Sequence, residues 1–199
     1  MIDFGDIMDN NIIEKIVKTS HHIYDKEMIL GKAGNISILD ESKQFIYITA
    51  SGTDFKSLSH EDVIKVNIND LSYTSVDNKV PSMETNLHIG VYKNRSDVNS
   101  VVHVHSPYAT AFAFSNKKLR QLEGFGEITG EYIAEVDYYP PGSKKLAKYA
   151  SDALKNEDKV LLKDHGVITV GKNIDEATLL CEYIEGIAKT QYSTHVLNL

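Results

Sequence analysis

The stretch Ser100-Val101-Val102-His103-Val104-His105-Ser106-Pro107 reads as a strand that breaks into a helix. Side chains alternate across a strand, so His103 and His105 project from one face while Val102 and Val104 project from the other. That places two imidazoles side by side. Proline suits the first position of a helix, which places a short helix from Pro107 to Phe114 directly behind the second histidine.

Upstream of this strand, Ile12, Ile13, Ile16, Val17, Ile23 and Tyr24 recur at mostly helical spacing, so the reading predicts a first helix from about Asn11 to Leu30, ended by Gly31. Gly34-Asn35 opens a β region. Ile36 and Ile38 with the run Phe45-Ile46-Tyr47-Ile48 predict a hairpin, then a Ser51-Gly52-Thr53-Asp54 turn and a strand over Val63 to Ile68. Ser82 is predicted to cap a helix carrying Leu87, Val91 and Tyr92, with Glu84 in its first turn. Downstream, Ser115 to Glu131 reads as a loop and Tyr132 to Val136 as a strand. Ser143 caps a helix in which Leu146, Ala150 and Leu154 recur. Short strands at Val160 to Leu162 and Val167 to Val170 flank Lys163-Asp164-His165-Gly166, and Asn173 caps a long last helix. Strands and helices mix without a strict βαβ repeat, which predicts an α/β layered domain with a largely antiparallel sheet.

The 199 residues fit one domain, residues 1–199. Their 42% hydrophobic and 25% charged content is that of a globular protein. A net charge of -7 with no dense Lys/Arg stripe argues against nucleic acid as a partner. The start, MIDFGDIMDN, lacks the order of a signal peptide, and no apolar run reaches membrane-spanning length. No membrane partner is expected, and the protein is expected to be cytoplasmic. The one cysteine, Cys181, falls in a helical apolar pattern and reads as core.

Two imidazoles from one strand can share a metal ion, since neutral imidazole is the commonest side-chain ligand. His165, in a turn after an apolar strand, sits where a functional side chain is commonly held on a rigid scaffold. Against these stand blander readings: hydrogen-bonded core histidines for the pair, a surface turn residue for His165 and dipole compensation for Glu84. His88 shares a face with Glu84 and reads as a core hydrogen-bonding residue. Gly34-Asn35 and Ser51-Gly52 are turn elements of the kind whose N–H groups cradle phosphate.

Taken in order, GNIS from Gly34, ITASGTDFKSL from Ile48, PSMETNLH from Pro81, VVHVHSPYATA from Val101, YYPPGS from Tyr138 and LLKDHGVITVGKNIDEA from Leu161 resemble the class II aldolase/adducin family. The resemblance implies a three-layer α/β fold, a largely antiparallel central sheet with helices on both faces. It also implies a metal held by His103, His105 and His165, zinc in the aldolases, with Glu84 as catalytic base. Asn35, Ser51, Gly52 and Ser82 match the phosphate-binding positions. The implied reaction is cleavage of a small phosphorylated sugar, a ketose 1-phosphate of the fuculose-1-phosphate type, into dihydroxyacetone phosphate and an aldehyde through a metal-stabilised enediolate. A homotetramer with active sites at subunit interfaces is implied as well.

Two departures stand out. Met83 replaces a hydroxyl residue beside Ser82, and LRQLEGFGEITG lacks the tyrosine that the aldolases bring from a neighbouring subunit as proton donor. Tyr132, Tyr138, Tyr139 and Tyr192 are the alternatives for that role. Pentulose-phosphate epimerase and methylthioribulose-1-phosphate-type dehydratase share the fold and the enolate chemistry. An adducin-like binding module is the non-catalytic alternative, and a metallohydrolase is disfavoured because Ser-Pro-Tyr-Ala after His105 carries no acidic ligand.

Overall fold

A computed structural model describes the chain from Phe4 to Leu199, with side chains from Asp9 onward. Met1 to Asp3, part of the segment searched for a leader, lie outside the described residues.

Eight strands form one sheet: β1 (Gly34–Leu39), β2 (Phe45–Thr49), β3 (Val63–Asn67), β4 (Tyr73–Thr74), β5 (Ser100–Val104), β6 (Ala134–Val136), β7 (Lys159–Leu162) and β8 (Gly166–Gly171), in the order β4-β3-β2-β1-β5-β8-β7-β6. Every pairing is antiparallel except β6 with β7. That exception has a cause in connectivity, because the helix α4 (Lys144–Ala153) lies between the two strands and supplies the crossover that a parallel pair requires. The expected three-layer α/β arrangement is the one observed.

Two apolar clusters lie on opposite faces of the sheet. One joins Ile36, Val102, Val104, Leu161 and Val167 to α1 (Phe4–Asp25) and α5 (Ile174–Leu197) through Ile16, Ile23, Ala177, Cys181 and Ile184. The other joins Ile46, Ile48, Val101, Leu162 and Ile168 to α2 (Thr85–Asn94) and α4 through Leu87, Val91, Leu146 and Ala150. Burial on both faces explains why the central strands read as continuous apolar runs. No described helix is long and apolar enough to cross a membrane.

The first helix departs from expectation at its end. It closes at Asp25, not Leu30, because Glu27 takes a left-handed φ of 57° while Met28 N–H reaches back to the Ile23 carbonyl at 3.1 Å and Glu27 N–H to that of Tyr24 at 2.9 Å. These paired bonds make a Schellman ending with glutamate where glycine is usual, so Gly31 (φ 61°) lies in the following turn and does not end the helix. Ser82 is also not the cap of α2. Glu84 occupies that position, and the Ser82 hydroxyl instead accepts the Glu84 backbone N–H at 3.2 Å. The caps at Ser143 and Asn173 form as expected, accepting from Leu146 N–H and Glu176 N–H.

Candidate metal centre

The site sits at the end of the sheet where β5 gives way to α3 (Pro107–Ala113) and where the β7–β8 turn folds over. His103 and His105 leave β5 on the α2 face, and Asp164, with a φ of 52°, turns the chain so that His165 faces them. Asparagine and aspartate tolerate that left-handed region better than other side chains do. The turn is anchored to α3 by Asp164 N–H donating to the Ala113 carbonyl at 3.1 Å. Gly166 makes the approach possible, because a Cβ there would lie 2.6 Å from the Val104 carbonyl oxygen and 3.2 Å from the His105 ring.

The three rings form a near-equilateral triangle, with centroids 4.8, 4.8 and 4.9 Å apart. One ligand nitrogen from each lies within 4.8 Å of the others, and His103 Nε2 is 3.0 Å from His105 Nε2. Two ligands of a tetrahedral ion with bonds of ~2.0–2.1 Å stand roughly 3.3 Å apart, so the pair is already near that spacing. His103 Nδ1–H donates to the Val167 carbonyl at 2.8 Å, which leaves Nε2 bare and aimed at the centre.

Burial pushes His103 down to about 4, against the opposing pull of that carbonyl. Burial, then the neighbouring His103, pushes His105 and His165 down to about 4 as well, with Glu84 pulling the other way. All three imidazoles are therefore neutral at pH 7, the form that binds a cation. The donor set fits a divalent ion.

Glu84 is 4% exposed and lies against this triangle, Oε2 3.3 Å from His103 Nε2 and Oε1 3.6 Å from His165 Nε2. Its position at the start of α2 gives a fixed backbone, and its carboxylate serves the site rather than the first-turn N–H groups. Oε2 accepts an N–H of the Asn35 amide at 3.2 Å, whereas Oε1 has no hydrogen-bond partner. A buried oxygen without a partner is rare in structural positions and common where a ligand or a transferred proton is handled.

The Ser51-Gly52 turn and Ser82 come together. Ser51 N–H donates to the Val80 carbonyl at 2.9 Å and Ser82 N–H to that of Thr49 at 3.2 Å, an edge pairing that sets the exposed Gly52 (φ 70°) beside Pro81-Ser82. Asn35 is buried one strand away. Met83 is exposed, and its backbone packs against Gly142, whose added Cβ would be 3.2 Å from the Met83 carbonyl oxygen. None of the four candidate donor tyrosines is hydrogen-bonded to the three histidines or to Glu84 among the described residues. Tyr139 stacks on Tyr149 at 4.8 Å, Tyr192 packs on Tyr108 at 5.5 Å, and Tyr132 and Tyr138 are exposed.

One residue of the neighbourhood escapes a sequence reading, and a second, read as a core hydrogen-bonding residue, is one. Glu185 of α5 accepts Tyr108 and Ala109 N–H at the head of α3, and nothing in the local sequence signals that contact across 77 residues. His88 touches Asn35, and only its four-residue spacing from Glu84 hinted at this.

Residues 14–192 match the model of the Class II Aldolase and Adducin N-terminal domain. The chain is 38% identical over 180 residues to an L-fuculose phosphate aldolase of Methanococcus maripaludis (strain C5), covering 90% of this chain and 95% of that one. It is 30% identical over 181 residues to a 5-deoxy-D-ribulose 1-phosphate aldolase of Bacillus thuringiensis, covering 91% and 84%. A solved L-fuculose 1-phosphate aldolase superposes with a TM-score of 0.86 at 26% identity, covering 95% of this chain and 88% of that chain. With its histidine triangle and acidic neighbour inside the fold those proteins share, the chain belongs to the class II aldolase and adducin family.

Proposed function

We propose that this chain is a zinc-dependent lyase that cleaves a ketose 1-phosphate of the fuculose-1-phosphate type into dihydroxyacetone phosphate and an aldehyde. The observation that carries the reading is the convergence of three neutral imidazoles on one point, with a buried carboxylate oxygen left unpartnered beside it. The relatives support the substrate class, since both are named for sugar phosphates and one of them for a 1-phosphate.

His103, His105 and His165 would hold a divalent cation, which would supply Lewis-acid stabilisation of the negative charge beside the substrate carbonyl. The side chains do the rest. As the C3–C4 bond breaks, the C4 hydroxyl loses its proton to solvent, C4 becomes the aldehyde carbon, and the bonding pair passes to C3 and the C2 oxygen. Glu84, in its acid form, gives a proton to C3 and regains one from solvent; in the synthetic direction its carboxylate removes that proton. Oε1 is the atom that carries it, because Asn35 occupies Oε2. Ser51, Gly52, Ser82 and the remaining N–H of Asn35 form the phosphate cradle, where small residues and turn N–H groups let the anion approach. Assembly as a homotetramer completes the reading, supported by the exposed Phe114, Phe125 and Ile128 in and beside the segment that follows the histidine strand.

The test is incubation of zinc-loaded protein with fuculose 1-phosphate and other ketose 1-phosphates, reading dihydroxyacetone phosphate through a coupled reduction. Triose release is expected. An epimer or a dehydrated product without triose reassigns the reaction, and turnover of none of them removes the proposal.

A further inference from the structure

Behind Glu84 runs a line of buried polar side chains, of which only Asn35 belongs to the phosphate cradle. Asn35 Nδ2 donates to Glu84 Oε2 at 3.2 Å, and His88 Nε2 lies 2.6 Å from Asn35 Oδ1. His88 Nδ1 lies 2.7 Å from Ser37 Oγ, which is 2.7 Å from Tyr92 Oη. All five residues are buried, and His88 and Ser37 have no exposed surface at all.

The direction of every link is dictated from the carboxylate end. An ionised carboxylate only accepts, so Asn35 must turn its amino group toward Glu84 and its carbonyl toward His88. That carbonyl only accepts, so the His88 proton sits on Nε2 and Nδ1 is bare. Bare Nδ1 requires the Ser37 hydroxyl to donate to it, and Tyr92 Oη is then the donor at the far end, within reach of Ser37 Oγ and of the Ser37 carbonyl at 3.0 Å. With the opposite tautomer, Asn35 would face a bare ring nitrogen and turn its carbonyl to the carboxylate, oxygen against oxygen.

We propose that His88 is a positioning residue for Glu84: its Nε2–H fixes the orientation of the Asn35 amide, which holds one oxygen of the base and leaves the other aimed at the substrate carbon. The proposal rests on the reading of Glu84 as the base. It assigns Asn35 a part beyond the phosphate cradle, that of a bridge between the base and the core. Ser37 and Tyr92 set the tautomer, and α2 supplies the rigidity, because Glu84, His88 and Tyr92 recur four apart along one face of its start and middle.

Two measurements test it. Long-range proton–nitrogen NMR of zinc-loaded protein labelled with ¹⁵N-histidine reads the ring of His88 directly. Protonated Nε2 with bare Nδ1 is expected, and protonated Nδ1 overturns the proposal whether or not any sugar phosphate is turned over. In the same protein, His88→Leu lowers kcat on the order of 10- to 100-fold, the scale of a misplaced catalytic group. Bound zinc stays at the wild-type value, KM changes less than kcat because Asn35 also serves the phosphate cradle, and His88→Gln, which offers an amide N–H at a similar reach, restores most of the rate.

Asn35→Ala loses at least as much kcat, and the His88→Leu/Asn35→Ala pair loses no more than Asn35→Ala alone, because both act through one bond. Losses that multiply, or a fall in zinc content parallel to kcat, overturn the proposal. If His88→Leu does not fold, the ring tautomer read in the unsubstituted protein decides. Failure of the wild-type protein to release triose speaks against the lyase reading alone, since the tautomer is read independently.

Discussion

Replacing Glu185 by alanine removes the cap of α3, the helix that follows His105. Four N–H groups at a helix start lack intrahelical partners, those of the cap residue and of the first three helical positions, and in α3 the three helical positions are accounted for. Pro107 has none, and Thr110 N–H donates to the Ser106 carbonyl at 2.9 Å. Tyr108 and Ala109 N–H go to the two oxygens of Glu185 at 3.0 and 2.9 Å. Ser106, at the cap position itself, makes no side-chain cap bond.

Each charge-assisted bond contributes about 1.5 kcal/mol or more. Freeing the glutamate side chain returns about 1 kcal/mol of entropy. The net loss for Glu185→Ala is about 2 kcal/mol, a fall of roughly 4–8 °C in Tm for a chain of this length. Glu185→Gln keeps one acceptor oxygen and loses about 1 kcal/mol. Urea and thermal unfolding of metal-free protein give both values. A loss below ~0.5 kcal/mol for the alanine variant, the level of an ordinary surface change, would refute the capping argument.

Gly166→Ala places a Cβ 2.6 Å from the Val104 carbonyl oxygen and 3.2 Å from the His105 ring. It destabilises by about 3 kcal/mol, the upper end for overpacking, and weakens metal binding, as melting with and without zinc will show. Acid should destabilise the metal-free protein: burial holds His103, His105 and His165 at about 4 and His88 at about 3, against 6.5 for the ordinary side chain. The unfolded chain then binds the extra protons as pH falls below 6.5, and each such histidine removes up to about 1.4 kcal/mol per pH unit until its folded value is reached. The urea midpoint should therefore drop between pH 7 and 5, more steeply in wild-type protein than in His88→Gln. Met83→Ser sets a second hydroxyl beside Ser82 at an exposed position, and lowers KM for a ketose 1-phosphate by about fivefold, one hydrogen bond's worth, with Tm unchanged.

The layered fold was legible because its strands are buried on both faces and its helices carry local signals, as at Ser143 and Asn173. The His103-x-His105 pair was legible because strand alternation alone puts both rings on one side. Other features depend on contacts that no local pattern encodes. Glu84 reads as ordinary first-turn charge until β1 brings Asn35 to it across 49 residues. The end of α1 was misplaced because glycine is the usual left-handed residue, whereas Met28 and Ile29 turning into the core fix that conformation at Glu27 instead. The two-residue β4 carries exposed side chains only, so it left no apolar alternation to find.

The most direct test of the account is a zinc titration of metal-free protein beside His103→Ala, His105→Ala and His165→Ala, reading stoichiometry and Tm together. The wild-type chain should take up one equivalent and gain stability as zinc is added, about 2.7 kcal/mol at a hundredfold excess over Kd. Each variant should lose most of that gain. A wild-type protein that binds no zinc, or a His165→Ala variant that binds it as tightly as the parent, would contradict the three-histidine centre.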